Sequence, residues 1–501
     1  MRANLNDLIR QQGARQRSDP NPIPLPFGGV NLSAPYGGLK KGEARKALNF
    51  FPLDGRMSMR QGYSVLKTRT APVSILGYDL PAAAGCLAID ADGWALNIGE
   101  DDTIVPIARS SGLSPAKQLS GAINSGRLCV VDGTNAGIKH FDGLSLTSAA
   151  LTGDYAAYVW AGILGHQNRL FMWQENSLDF FYLGTDAIQG EVKKFSLSFL
   201  ARLTGSIRAM ASWTVDASQG TNDLLAIITT TGQVAVYEGN DPGDALNWRL
   251  NGIYHIGAVP GADGWVNVGG DLRIATKQGI VSASEMLTAG EASATATTTV
   301  ARNIIPWFIE AGAVTGKDRY WQAMIDPKGY GVWFNMPTST GSRQAFFAAS
   351  NLKPYEFDLP IVEMARGGKT MWFVTSAGEI CKAWSGYSDG GAFITGEWHS
   401  DWLPAGSKGA SVDGIQYVFG CESGIFLTLS ILSDYRESAT AIGEVEQEWQ
   451  LDPLDGVCDD ELSASGEGEA LQFRMSVENR YIEEIKWIAT KARTVGLARS
   501  R

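Results

Sequence analysis

Between residues 72 and 430 one pattern of apolar and polar positions recurs. Four to seven apolar or β-branched residues are followed by a turn bearing Gly, Asn or Asp, and then by a second apolar run. Examples are GCLAIDADGWALNIG (85–99), RLCVVDGTNAGIKHFDG (127–143), NRLFMWQENSLDFFYLG (168–184), DLLAIITTTGQVAVYEG (223–239), DLRIATKQGIVSAS (271–284) and TMWFVTSAGEICKAW (370–384). Each reads as a β-hairpin. The units centre near residues 92, 132, 175, 230, 277, 328 and 377, a spacing of roughly 35–50 residues that suits the blades of a β-propeller. The chain is therefore expected to be mainly β, a propeller of six or seven blades. A series of β-sandwich domains is the alternative, because it produces the same hairpins.

The flanks break this pattern. Residues 1–27 read as an N-terminal arm. Leu5, Leu8 and Ile9 follow Asn4 at helical spacing, and NPIPLPF (21–27) forms a proline-rich connector. Residues 28–71 form a separate segment, with turn glycines, a short helical patch around Lys41–Leu48, and Asp54-Gly55 setting a tight turn before a strand. Within the propeller body, 72–430, residues 291–313 suggest an inserted helix broken at Pro306. Residues 431–501 read as an acidic linker and a small C-terminal module, the last part a strand pair or short helix.

Composition narrows the class. The chain has 501 residues, 44% of them hydrophobic and 10% aromatic, which excludes a disordered chain. Its 58 glycines follow no three-residue period, which excludes a collagen-like one. The net charge is −11, but residues 1–70 carry a balance of +8 and the remainder −19. A basic first segment on an acidic body points to an acidic neighbour at that end. An acidic body argues against a protein that grips nucleic acid. The five cysteines, Cys86, Cys129, Cys381, Cys421 and Cys458, are too far apart for a CxxC motif and are expected to be reduced. The N-terminus has no apolar core of signal-peptide length, and no apolar stretch is long enough to span a membrane. These features point to folding in a cytoplasm.

Motifs of chemistry are few. His140, His166, His255 and His399 sit at no metal-binding spacing, and no nucleophile elbow or phosphate loop occurs. Asp90-Ala91-Asp92-Gly93 opens like a calcium loop but fails two positions later, so a hairpin turn is expected there. Asp452, Asp455, Asp459, Asp460 and Glu461 match no known cation loop. With 53 acidic residues, the sequence nominates no catalytic carboxylate pair of the glycosidase kind. Trp372, Trp384, Trp398 and Trp402 are expected to pack between sheets, with a sugar-stacking surface as the alternative. No catalytic residue, metal ligand or cofactor is assigned, and the chain is expected not to be an enzyme.

Two stretches carry a family likeness. In residues 28–66 a turn with Asn31 and Pro35 precedes Gly42-Glu43-Ala44. Asn49, Pro52 and Gly55 mark a turn, and Arg60-Gln61-Gly62-Tyr63 opens a strand. In residues 234–284, Tyr237, Gly239 and Asp241-Pro242 are followed by Trp248, Gly252, Tyr254 and Ile256-Gly257, then by Gly269-Gly270-Asp271, Thr276 and Gly279. YWQAMIDPKGYGVWFNMP (320–337) is a weaker third match. Together and in this order they resemble the tail tubular, or nozzle, proteins of short-tailed bacteriophages. That resemblance implies a β-propeller subunit of a ring, usually a hexamer, below the portal and adaptor in the virion tail. It implies contacts with copies of itself, with portal-adaptor and other tail proteins, and weak, non-specific contact with packaged double-stranded DNA in the channel. The matched positions are turn residues and carry over no catalytic role.

The charge distribution suits that role. Neutralising phosphates adds salt-dependent affinity, so an acidic lumen lets a duplex slide. Arg2, Arg10, Arg15 and Arg17 in the arm are candidates for partner contact. The competing expectation is a carbohydrate-binding or carbohydrate-cleaving propeller used in host recognition. A cytoplasmic scaffold lacks support, because the Gly-His and Trp-Asp repeats of such propellers are missing.

Overall fold

A computed structural model describes residues 21–494, apart from 110, 135–136, 218–219, 290–300, 405–409, 422–425, 434–442, 449–456, 463–465, 469 and 478–481. The chain divides into a propeller unit, residues 30–33 and 60–394, and a second unit, residues 1–29, 34–59 and 395–501.

The propeller unit is a six-bladed arrangement of four-stranded antiparallel sheets. The first blade runs Val73–Leu80, Ala83–Asp90, Ala95–Gly99 and Ile104–Ala108; the second Ser120–Asn124, Arg127–Val131, Lys139–Phe141 and Leu146–Ser148. The third comprises Gly162–His166, Arg169–Trp173, Asp179–Tyr182 and Lys193–Ser196; the fourth Ile207–Ala217, Gly220–Thr229, Gln233–Gly239 and Trp248–His255. A three-stranded sheet, Trp265–Val268, Asp271–Thr276 and Gly279–Ser282, comes next, followed by the helix Ala283–Ala289. The fifth blade is Gln322–Ile325, Gly331–Pro337, Ser342–Ala348 and Pro354–Phe357. The sixth takes three strands from late in the chain, Glu363–Gly367, Thr370–Val374 and Glu379–Ala383, and its fourth from the start of the unit, Tyr63–Thr68. That pairing joins the first strand of the unit to its last blade and closes the ring, leaving no free edge there. All seven expected hairpin centres fall within these sheets, the one at 277 in the three-stranded sheet.

The continuous apolar runs in the sequence are explained by burial on both faces. Side chains alternate along a strand, and here each face meets a neighbouring blade. Cys86 and Ala88 pack with Trp372, Val374 and Ile380 of the sixth blade. The intervening Leu87 and Ile89 pack with Leu128, Val130 and Phe141 of the second. Similar clusters join the second blade to the third, the third to the fourth, and the fourth to the three-stranded sheet. Each large apolar side chain so buried contributes about 1.5–3 kcal/mol. The alternative of separate β-sandwiches does not hold for this region.

The second unit contains two antiparallel sheets. In one, Ala410–Cys421 pairs with Ile482–Thr494, which also takes Arg56–Met59. In the other, Gly396–Pro404 lies between Lys46–Leu48 and Ala470–Val477. Asn49 is the switch between them. Lys46–Leu48 belongs to one sheet and Phe50–Leu53 to the other, and Asn49 turns the chain at φ 60 while its amide donates to Thr395 O (2.7 Å). Asn tolerates this left-handed conformation better than most residues. Asp54 (φ 49) and Gly55 (φ 78) then make the two-residue hairpin turn that the sequence indicates.

Three expectations change. The propeller ends at Ile394, not 430, and residues 34–59 fold with 395–501. The helical patch at 41–48 is instead strands Glu43–Ala44 and Lys46–Leu48. Gly42 sits at φ 83, which no right-handed helix accommodates, and Ala47 and Leu48 are buried in a sheet. Pro306 starts the helix Ile305–Ala313 and does not break it. At the first turn the missing N–H costs nothing. Near the C-terminus, where a strand pair or short helix is expected, the chain forms the strands Ala470–Val477 and Ile482–Thr494, which do not pair with each other but join different sheets. Among the described residues no helix is long and apolar enough to cross a membrane.

Candidate functional site: the propeller axis

Polar side chains tie blade to blade around the axis. Ser74 Oγ accepts the Leu119 amide (3.0 Å), linking the first and second blades. Ser120 Oγ accepts the Ile163 amide (3.0 Å), linking the second and third. His166 Nδ1 lies 2.7 Å from Ser212 Oγ, and Asn267 donates to Ser212 O (2.9 Å). Asp263 and Gln322 pair as an isolated parallel bridge, and the Gln322 carboxamide holds the Met364 backbone, accepting its N–H at 2.6 Å. Glu363 completes the circuit. Its Oε2 accepts both the Ser74 hydroxyl (2.7 Å) and the Ile75 amide (3.0 Å).

Glu363 has no exposed surface, and its charge is met by Arg319 Nε at 2.5 Å. Arg319 also donates to Pro115 O (3.0 Å) and Val73 O (2.8 Å), spanning the first and second blades. Burial pushes the Glu363 carboxyl up, and Arg319 opposes that shift. Such a pair adds little net stability, but losing one partner costs about 3–5 kcal/mol.

Beside this lock is a cavity of 380 Å³. Its wall comes from the first blade (Gly77), the three-stranded sheet (Trp265, Val266 and Asn267), the fifth blade (Gln322, Ala323, Met324 and Ile325) and the sixth (Met364, Ala365 and Arg366), together with Asp263. Protein encloses Asp263, yet it retains some surface on the cavity. Gln118 Nε2 donates to its Oδ2 (2.7 Å), and Gln322 also hydrogen-bonds it. Burial, and then the charge of Glu363, push the Asp263 carboxyl up to about 7. The axis therefore holds one carboxylate fully engaged in structure and one that titrates near neutrality, the type of group that marks functional sites. Sequence reasoning missed both. They lie 100 positions apart in no motif, and only the closed ring brings them together.

The family-like residues fall elsewhere, at turns and joints. Asn31 Oδ1 accepts the Ser33 amide (3.1 Å), and Pro35 O accepts the Gly38 amide (3.0 Å). Gly42 O accepts the Gly28 amide, and Pro52 lies in Phe50–Leu53, the end strand of its sheet, where a missing donor is tolerated. Gly62 is packed so tightly that an added Cβ would sit 1.9 Å from Ser388 O. Tyr63 meets Phe373 edge-on at 5.0 Å. Asp241 ties the fourth blade to Arg169 of the third (2.8 Å) beside buried Pro242. Trp248 stacks on Tyr237 at 4.9 Å. Gly269 and Gly270 (φ 58 and 78) form a two-residue turn, and Asp271 Oδ1 accepts the Ser284 amide (3.0 Å). None of these lines the axial cavity except through the strands they position.

Trp372, Trp384, Trp398 and Trp402 are all buried, so they pack and offer no sugar-stacking face. Asp326 Oδ2 accepts the indole N–H of both Trp384 (2.6 Å) and Trp333 (2.9 Å). Asp90 closes the expected hairpin turn by accepting the Trp94 amide (2.9 Å). Cys86, Cys129 and Cys381 are free and buried, and burial pushes the last two thiols up to about 12, leaving them unreactive. Arg2, Arg10, Arg15 and Arg17 lie outside the described residues, as do the side chains of Cys421, Cys458 and the acidic residues between 434 and 469. Among the described residues no group of three or more His, Cys, Asp or Glu is placed to hold a metal.

No family model matches the chain, and no curated sequence is significantly similar to it. Solved propellers are similar in fold at very low identity. A streptogramin B lyase is 12% identical, over 66% of this chain and 95% of its own, with a TM-score of 0.38. The BBS1N chain solved in complex with ARL6DN is 11% identical, over 66% and 99%, with a TM-score of 0.40. The WD40 β-propeller domain of Doa1 is 10% identical, over 64% and 94%, with a TM-score of 0.35. This chain is a β-propeller.

Proposed function

We propose that the chain is a structural protein of a phage tail, a subunit of a ring-shaped nozzle below the portal and adaptor that conducts and retains packaged DNA in the virion. The observation that carries this reading is the use made of residues 28–66. This family-like segment supplies Lys46–Leu48 and Phe50–Leu53 to the two sheets of the second unit. It then supplies, within Tyr63–Thr68, the strand that closes the propeller. Its matched residues are those that make the switches: Asn49 between sheets, Gly55 in the hairpin, Gly62 at the closure. The resemblance thus concerns the frame of the molecule, as expected for an assembly subunit. Across the propeller ring, Gln118 beside the second blade bonds Asp263 beside the three-stranded sheet. On this reading the duplex therefore passes between copies of the chain in a ring, not through a single propeller. Purification with the neighbouring adaptor proteins, followed by imaging of the assembly, tests this reading. Rings with a central opening support it, and a chain that stays monomeric with those partners overturns it.

The second reading is a carbohydrate-cleaving or carbohydrate-binding propeller, for which the cavity beside Asp263 is the candidate site. A glycosidase needs two available carboxyls. Both oxygens of Glu363 are taken by Ser74, Ile75 and Arg319, which leaves Asp263 alone. Release of reducing sugar from host polysaccharide would favour this reading over the structural one.

A further inference from the structure

The axial cavity has a countercharge problem. Among the described residues the Asp263 carboxyl receives hydrogen bonds from neutral amides, those of Gln118 and Gln322. Among the described residues no lysine or arginine is paired with it. The nearest ion pair, Arg319 with Glu363, is spent on itself and on backbone carbonyls, and Glu363 adds negative charge at Asp263. The one basic group on the cavity wall, Arg366, is exposed and reaches toward Asp79 at 4.0 Å.

Apart from Asn267 and Gln322, whose amides are engaged with Ser212 O and the Met364 backbone, the remaining wall is apolar. Trp265 spends its indole N–H on Ala262 O (3.1 Å), which leaves carbon surface for the cavity. Met324 and Met364 also line it. A volume of 380 Å³ is more than ten times the share of one water molecule in the liquid, about 30 Å³. It falls within the lower range of small-molecule sites. A single carboxylate without a cation, set beside an indole and thioethers, is the chemistry that receives an ammonium group. The carboxylate supplies the charge-assisted hydrogen bond, and the ring favours a cation near its face.

We propose that the axial cavity is a binding site for a small organic cation, with a primary ammonium on the Asp263 carboxylate and a short carbon chain against Trp265 and Met364. Bound there, the cation joins the three-stranded sheet to the fifth and sixth blades from inside the ring.

The test is calorimetric titration of the full-length protein with n-butylammonium at pH 6 and pH 8, with butan-1-ol as the neutral isostere and potassium chloride at matched ionic strength. The cation competes with a proton that leaves at about pH 7. The ionised fraction of Asp263 therefore rises from about a tenth to about nine-tenths between the two conditions, and affinity for n-butylammonium rises about tenfold. Asp263→Asn, verified as folded by near-ultraviolet circular dichroism, is expected to lose this binding. Butan-1-ol and potassium are expected to give no comparable signal. Equal affinity at the two pH values, binding retained in Asp263→Asn, or butan-1-ol binding as well as the ammonium would each overturn the proposal. The wild-type pH contrast decides the matter even if the variant does not fold.

Discussion

Replacing Asp263 by Asn tests the electrostatics of the axis without any ligand. The folded protein holds the Asp263 proton up to about pH 7, whereas an unfolded chain releases it near pH 4. Between those values the folded form binds more protons than the unfolded form. The contribution of Asp263 to stability therefore falls as pH rises through that window and is flat above it. A shift of about three pH units is worth about 4 kcal/mol at most. Water reaching the carboxyl through the cavity reduces that to about 2 kcal/mol. Asn keeps an acceptor for Gln118 but mismatches Gln322, a loss of about 1 kcal/mol. The variant should thus match wild type near pH 5 and exceed it by about 1 kcal/mol at pH 8. Guanidinium unfolding at both pH values, followed by tryptophan fluorescence, measures the difference. A variant that is less stable than wild type at pH 8, or whose advantage does not grow with pH, would refute the reasoning.

Other positions give sharper structural losses. Arg60 is fully buried and held by Asp389 (2.6 and 2.8 Å) and Asp358 (3.2 Å). Arg60→Met removes the cation from the mostly buried Asp389, while Asp358 keeps its access to water, and should cost about 1–3 kcal/mol in equilibrium unfolding. Gly62→Ala places a methyl against the Ser388 backbone. It should displace the closing strand, detectable as faster cleavage between residues 60 and 70 in limited proteolysis. Asp326→Ala leaves two buried indole N–H groups, of Trp333 and Trp384, without their acceptor. A loss of about 2–4 kcal/mol is expected, measured as a lowered midpoint of thermal unfolding.

The blades were legible because strands such as Ala83–Asp90, Arg127–Val131 and Arg169–Trp173 bury both faces, so their apolar runs stand out against polar turns. Asp54-Gly55 was legible because a two-residue hairpin turn demands positive φ at both positions. The closing strand was not. YSVLKT is half exposed, pairs with Glu379–Ala383 more than 300 positions away, and has no pattern that names its partner. The second unit was misjudged for the same reason, since residues 34–59 and 395–501 meet only in the fold. The helical reading of Lys41–Leu48 followed local propensity, which the left-handed Gly42 and burial in a sheet override. At the axis, Asp263 and Glu363 are 2 of 53 acidic residues, and what distinguishes them is burial and neighbours, which a sequence does not display. The tryptophans were read correctly as packing residues because large aromatics in a glycine-rich β fold have sheets to fill.

The proposed role is one of assembly, so the direct measurement is the mass and shape of the purified chain, alone and with the portal-adaptor proteins, by analytical ultracentrifugation and electron microscopy. A closed ring of several copies around an open channel, formed on or stabilised by the adaptor, is the result expected. A monomer under both conditions, with no contact to the adaptor, would contradict the proposed role while leaving the propeller and its axial cavity as described.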